Sequence, residues 1–207
     1  MNDYRYIGKP AKRVDALEKV MGKAKYAADY QLPGMLHARC LRSTVPHARI
    51  VRLDVTPALA VPGVRAVITS EDFFEHGLYG FPVKDKYMLA WEKVRYVGEA
   101  IAAVAADTPA AALAGMQAIV CEFEELDAVT DSLHSLYEDA PQVGPDRPDG
   151  KHPNWLHVEY VRKDDPLAEL AKCAVTLDET YTTVPQEHAY LEPEAVVAVP
   201  TREGGVL

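Results

Sequence analysis

Apolar and polar positions are most regularly ordered between Val94 and Leu126, VRYVGEAIAAVAADTPAAALAGMQAIVCEFEEL. Val94 to Val97 and Ala100 to Ala106 are apolar and partly β-branched, with a break at Gly98-Glu99, which predicts strand with a turn or bulge at the glycine. Asp107-Thr108-Pro109 follows with a capping oxygen on Asp107 or Thr108 and a proline at the first helical position, where its missing N–H costs nothing. The alanine-rich run to about Ala118 then favours a helix. Ile119 to Phe123 returns to strand, placing Ile119, Cys121 and Phe123 on one face and Val120 and Glu122 on the other. This strand–helix–strand unit carries no acid/base pair, phosphate loop or metal spacing, so it speaks of architecture and function must be sought elsewhere.

Upstream, residues 1 to 19 are polar and broken at Gly8-Lys9-Pro10, as in an extended arm, and Pro33-Gly34 is a strong turn signal. Met35 to Ser43 is expected to be a strand covered on both faces, because its apolar residues do not separate cleanly by alternation. Ile50 to Val55 alternates as a second strand, near enough to pair with the first. Thr56-Pro57 opens a short helix stopped by Val61-Pro62-Gly63, and Val64 to Thr69 is a third strand. Ser70 to Phe73 begins a further short helix, and residues 75 to 93 read as a long surface loop. The strand–helix–strand plan thus occurs twice, without residue-for-residue similarity.

Downstream, Leu126 to Tyr137 allows one or two helical turns, and Pro141, Pro145, Pro148 and Pro153, interleaved with glycine and aspartate, make a linker. Asp165-Pro166 caps a short helix through Lys172, and Val175 to Val184 and Glu194 to Val199 are expected as strands. Gly204-Gly205 has the form of a hairpin turn, with Val206-Leu207 beginning a strand whose remainder is missing. A unit this small buries too little surface to stand alone, so the sequence is read as unfinished.

Composition narrows the chemistry. Apolar residues make up 48% of the 207 positions, which suits a folded core. The net charge of −9 argues against a nucleic-acid partner, and the basic cluster from Lys19 to Lys25 reads as a solvated turn. Cys40, Cys121 and Cys173 are widely spaced in apolar surroundings, which fits buried thiols and excludes a CxxC pair, a four-cysteine zinc site or an iron–sulfur cluster made by this chain alone. No signal core or membrane-length apolar run is found, so a soluble cytoplasmic protein with no membrane partner is expected. GxSxG, P-loop and GxGxxG patterns are missing as well.

Two clusters carry candidate chemistry. Pro185-Gln186-Glu187-His188-Ala189-Tyr190-Leu191-Glu192-Pro193-Glu194 gathers an amide, an imidazole and several carboxylates between two expected strands, where they could line a polar pocket. A strand connection is also polar for solvation alone, and the spacing from His188 to Glu192 is no strong metal signature. His47 lies beside Arg42, Ser43 and Arg49; the two arginines could hold an anion, against a solvated turn or an ion pair to Asp54.

Four stretches, GKAKYAADYQLPGMLHARCLRSTVPHARI, PGVRAVITSEDF, VRYVGEAIAAVAADTPAAA and QEHAYLEPEAVVAV, resemble in this order the N-terminal part of the molybdenum-cofactor subunit of the xanthine dehydrogenase and aldehyde oxidase family. The resemblance covers roughly residues 5 to 200 and implies an α+β fold. It divides the chain into an N-terminal arm (1–19), an α/β hammerhead domain of mixed strands and helices (20–135), a proline-rich linker (136–160) and the start of an incomplete α+β molybdopterin-binding domain (161–207). It further implies a component of a molybdenum hydroxylase, which hydroxylates an N-heterocycle or aldehyde with water as the oxygen source. Molybdenum-molybdopterin would be held mainly by a polypeptide carrying the remaining molybdopterin-binding domains, and 2Fe-2S and FAD by partner subunits. In such enzymes the pterin loops and the base at molybdenum lie beyond the stretch represented here, so no catalytic or metal-ligating residue is assigned. Gln186, His188 and Glu192 match the family's strand connection and are candidates to face the cofactor. A naturally split subunit, a truncated product and an excerpt of a longer chain all fit, and a non-catalytic interaction module with a hammerhead fold is the alternative.

Overall fold

The computed structural model describes residues 4–81, 84–144, 152, 154, 155, 157, 159–190 and 194–207. In chain order they form α1 (Ala16–Val20), β1 (His37–Arg42), β2 (Ala48–Asp54), α2 (Thr56–Leu59), β3 (Val64–Ile68), β4 (Leu78–Tyr79), β5 (Lys86–Tyr87), β6 (Lys93–Val94), β7 (Ala100–Ala106), α3 (Pro109–Ala118), β8 (Val120–Glu125) and α4 (Pro166–Leu170). Contacts divide the chain into two units, Gly34–Thr176 and a second made of Met1–Pro33 with Leu177–Leu207.

In the Gly34–Thr176 unit two antiparallel three-stranded sheets are ordered β1-β7-β3 and β6-β2-β8. Both helices of the two strand–helix–strand units cross between sheets. β2 leads through α2 to β3 in the other sheet, and β7 leads through α3 back to β8. β1 and β2 therefore do not pair with each other as expected. β1 lies against β7, with Leu41 opposite Ala102, and β2 lies against β8, with Leu53 opposite Cys121. Their connection Ser43–His47 holds no tight hairpin turn; Ser43 N–H instead donates to the Glu99 carbonyl at 2.8 Å.

The strand covered on both faces is β7, not β1. β1 is a sheet edge with Ala38, Arg39 and Arg42 exposed. Along β7 alternation sends Ile101 into a cluster with Ala48, Ala90 and Val94, and sends Ala102 and Val104 to the opposite face with Ala58 and Ile119. Alanines on β7 keep the strand thin enough for α3 to lie close. At Gly115 of α3 an added Cβ would come within 2.7 Å of Val64 Cγ2 and 2.9 Å of Val104 Cγ1. Cys121 and Phe123 pack with the first cluster, but Ile119 belongs to the second, so the three do not share the one face expected of them: Ile119 is the residue that ends α3, and β8 begins only at Val120.

Local signals decide the element ends. Thr108 Oγ1 accepts the Ala111 N–H at 3.1 Å and caps α3, whereas Asp107 is engaged by Arg65 at 2.7 Å. At α2 the Thr56 N–H donates to the Asp54 carboxylate at 3.0 Å. Asp165 caps α4 by accepting from Leu167 and Ala168 N–H at 3.1 and 3.2 Å. The turn expected at Gly98-Glu99 is present, with Gly98 at φ +91°, where a side chain would be strained. Strand ends at Val94, however, and Tyr96 and Val97 are exposed.

Residues 75 to 93 are not a surface loop throughout. β4 and β5 form a small hairpin there, and Leu89 and Ala90 are buried. Pro145, Pro148 and Pro153 of the expected linker lie outside the described residues.

In the other unit, Val199 and Leu207 exchange both backbone hydrogen bonds at 2.9 Å around a turn closed by Gly205, so the expected terminal hairpin is formed. The strands expected over Val175–Val184 and Glu194–Val199 are not found among the described residues, and Leu177, Tyr181 and Val184 stand exposed. Alternation supplies two faces, but a strand is held by pairing with a neighbour, and no strand pairing is found for residues 177–190 among the described residues.

Candidate functional site

Gln186 and His188 lie in exposed extended chain, and Glu192 is outside the described residues. The His188 N–H donates to the Glu187 carboxylate at 2.9 Å, and its ring stacks on Tyr190 with centroids 5.6 Å apart. Among the described residues nothing aims a further polar group at this pair. Nor does any group of three or more His, Cys, Asp or Glu side chains converge as metal ligands. These residues do not by themselves form a cradle for a molybdopterin, since no buried side-chain polar atom lacking a partner lies among the described positions of 177–207.

The second candidate cluster is dispersed by the fold. Arg42 donates to the Gly98 carbonyl at 2.8 Å, Arg49 pairs with Glu124 at 3.2 Å, and Arg52 takes Asp54 and Glu122 at 3.2 and 3.1 Å. The ion pair to Asp54 thus comes from Arg52, not from Arg42 or Arg49, and no anion site forms. His47 is no solvated turn residue: it is 3% exposed, with Nδ1 2.7 Å from the Asp127 carbonyl oxygen. A carbonyl only accepts, so this nitrogen carries the proton. The cysteines are free; Cys40 and Cys121 are half-buried, but Cys173 is exposed, contrary to expectation. Burial raises the Cys121 thiol above its ordinary range, with the neighbouring Glu122 charge adding to the effect, so it is a poor nucleophile.

The fold gathers polar groups around Glu99 instead, which is 5% exposed. Its Oε2 accepts the Arg95 N–H at 2.5 Å, and Oε1 lies 3.7 Å from the Arg95 guanidinium. Burial pushes this carboxyl above the usual range, against the opposing pull of Arg95. Arg95 Nε reaches on to the Val143 carbonyl at 3.1 Å, and Lys93 Nζ to the Gln142 carbonyl at 3.2 Å. Asn154 closes the arrangement: Oδ1 accepts from the Val143 and Gly144 N–H groups, and Nδ2 donates to the Ser135 and Pro141 carbonyls. One amide thereby satisfies four backbone groups where regular secondary structure supplies no partners. The YVGE stretch signalled a turn, but Asn154 carried no sequence signal, because its partners are contributed by the folded path of residues 135–144.

Among the described residues no helix is long and apolar enough to cross a membrane. A family profile described as aldehyde oxidase and xanthine dehydrogenase, a/b hammerhead domain, matches residues 21–127. The chain is 41% identical over 202 residues to the nicotinate dehydrogenase large molybdopterin subunit of Eubacterium barkeri, covering 98% of this chain and 46% of that one. It is 36% identical over 200 residues to a probable xanthine dehydrogenase subunit of Bacillus subtilis (strain 168), covering 96% of this chain and 26% of that one. Among solved structures, quinoline 2-oxidoreductase from Pseudomonas putida 86 superposes with a TM-score of 0.59 at 37% identity, over 66% of this chain and 18% of that one. The chain therefore spans less than half the length of these relatives. With the hammerhead profile matching more than half of its residues, the chain belongs to the aldehyde oxidase and xanthine dehydrogenase family.

Proposed function

We propose that the chain is the N-terminal part of the molybdenum-cofactor subunit of a cytoplasmic hydroxylase, which hydroxylates an N-heterocycle or an aldehyde with oxygen taken from water. The observation that carries this reading is the 41% identity to a nicotinate dehydrogenase large molybdopterin subunit, sustained over 98% of the chain. Nicotinate is an N-heterocycle, which favours that substrate class. Molybdenum-molybdopterin, the group that supplies oxygen transfer, is held on polypeptide other than the residues described, and 2Fe-2S and FAD on partner subunits carry the electrons away. The role of residues 34–176 is a rigid scaffold built on β7. Gln186, His188 and Glu192 face the cofactor-bearing polypeptide. The exposed Leu177, Tyr181, Val184 and Val196 support this, since a run of large apolar side chains gains stability when another surface covers it.

The test is native mass spectrometry with metal analysis on protein purified from its own cells through a tag on this chain. Molybdenum, iron and larger polypeptide mass travelling with it are expected. A chain that emerges alone and metal-free under mild conditions, with no dye-coupled oxidation restored by added subunits, overturns the reading.

A further inference from the structure

Within the Gly34–Thr176 unit an open cleft of about 710 Å³ lies between the β4–β5 hairpin and residues 129–132, Ser135, Val143, Gly144, Asn154 and Trp155. The rings of Tyr79, Tyr87, Tyr96 and Trp155 line it together with Asp85 and Arg95. Two side-chain atoms of the lining are buried without a hydrogen-bond partner: Asp85 Oδ1, an acceptor, and Arg95 Nη1, a donor. Arg95 is otherwise engaged, with Nε on the Val143 carbonyl and its guanidinium 5.1 Å from the centre of the Tyr87 ring; Nη1 faces Glu99 Oε1 at 3.7 Å, an ion-pair distance too long for a hydrogen bond. The open donor is therefore held in place. Leaving a buried polar group unsatisfied is costly, so a donor and an acceptor left open in one cleft call for an occupant. The volume falls within the roughly 300–1,000 Å³ of small-molecule sites, and the rings share the lining with charged and polar side chains, Lys86, Glu99, Asp131 and Asn154 among them.

The occupant must offer an oxygen to Arg95, an N–H or O–H to Asp85, and a flat apolar body to the rings. A carboxylate lacks the donor and adds negative charge beside Asp85 and Glu99; a cation lacks the acceptor. We propose that this cleft binds a small planar amide, either an aromatic carboxamide or a lactam. Nothing in this site depends on molybdenum or on the activity of an assembled enzyme.

The test uses the 207-residue chain labelled with nitrogen-15. The sequence has two tryptophans, so the Trp155 indole N–H signal is assigned by comparison with Trp155→Phe. Benzamide is titrated as probe, and benzoate, which has no N–H, as control. A saturable shift of the Trp155 signal with benzamide is expected, with benzoate at least about tenfold weaker. Asp85→Ala is expected to weaken benzamide about tenfold, the equivalent of one lost buried hydrogen bond, with an unchanged circular dichroism spectrum. If that variant fails to fold, Tyr79→Ala takes its place with the same expected weakening. No saturable shift, equal binding of benzoate, or unaltered affinity in a folded variant overturns the proposal and leaves water as the partner of both atoms.

Discussion

Glu99 turns its carboxylate back onto Arg95, taking that residue's backbone N–H at 2.5 Å while its second oxygen stands 3.7 Å from the guanidinium. The side chains of both are largely buried, at 7% and 13% exposure. The pair links the turn that precedes β7 to Val143, because Arg95 also holds the Val143 carbonyl. Removing the carboxylate leaves a buried cation without its counter-charge, so Glu99→Ala is expected to destabilise the Gly34–Thr176 unit by about 3 kcal/mol, measured by urea denaturation.

Replacement by glutamine separates charge from hydrogen bonding. Glu99 has its folded pKa raised by burial above the ordinary 4.5, so in the window above that value the folded chain holds a proton that the unfolded chain has released. More protons bound in the native state mean that this group's contribution is present below 4.5 and is lost as pH rises through the folded value. Glu99→Gln does not titrate. The difference in unfolding free energy between wild type and Glu99→Gln is therefore expected to move against the wild type as pH rises from about 4 to 7. A difference that stays flat, or moves the other way, refutes the assignment.

Gly115 lies where α3 meets β3 and β7. Alanine there would improve helix propensity by about 1 kcal/mol. Its Cβ, however, would press on Val64 and Val104 at 2.7 and 2.9 Å, and overpacking of this kind costs about 1–3 kcal/mol. Gly115→Ala is expected to lower stability by about 1 kcal/mol in thermal or urea unfolding, the reverse of its effect in an isolated helix.

The sequence left Asp107 and Thr108 as rival caps for α3, and stability measurements can tell them apart. Thr108→Ala removes the oxygen that accepts the Ala111 N–H and should cost about 1 kcal/mol, with Thr108→Ser close to wild type. Asp107→Asn removes only an exposed pair with Arg65 and should leave stability close to wild type.

Asn154 is expected to act locally. Asn154→Ala takes away the acceptor for the Val143 and Gly144 N–H groups, so hydrogen exchange at these two amides should rise about tenfold. Exchange in β7 should stay unchanged. Acceleration across the whole unit would mean that the residue supports the core and not merely the path of residues 135–144.

The elements were legible where their causes are local. Pro109 after a capping oxygen, the alanine run to Ala118, the alternation of Cys121 and Phe123, and Asp165 before Pro166 each specify backbone conformation within a few residues, and each lies where the pattern put it. The ordered motifs also pointed to the family, because glycine and proline positions in a turn-rich domain are set by backbone geometry.

Pairing was not legible, and for a physical reason. Leu41 faces Ala102 and Leu53 faces Cys121 across separations of more than sixty residues, and alternation states which side of a strand is apolar without naming its neighbour. Two sequential strands thus entered different sheets, and the strand buried on both faces proved to be β7. The same limit applies to side chains. His47, Glu99 and Asn154 gain their roles only when Asp127, Arg95 and residues 135–144 are brought to them. By itself the sequence determined the helices α2, α3 and α4, the turn at Gly98 and the family of this protein, since these are written in short-range sterics and hydrogen bonding, whereas α1 formed where an extended arm was expected. The tertiary structure alone decided the sheet order and the cleft beside Asp85 and Arg95, since both depend on contacts between residues far apart in the chain.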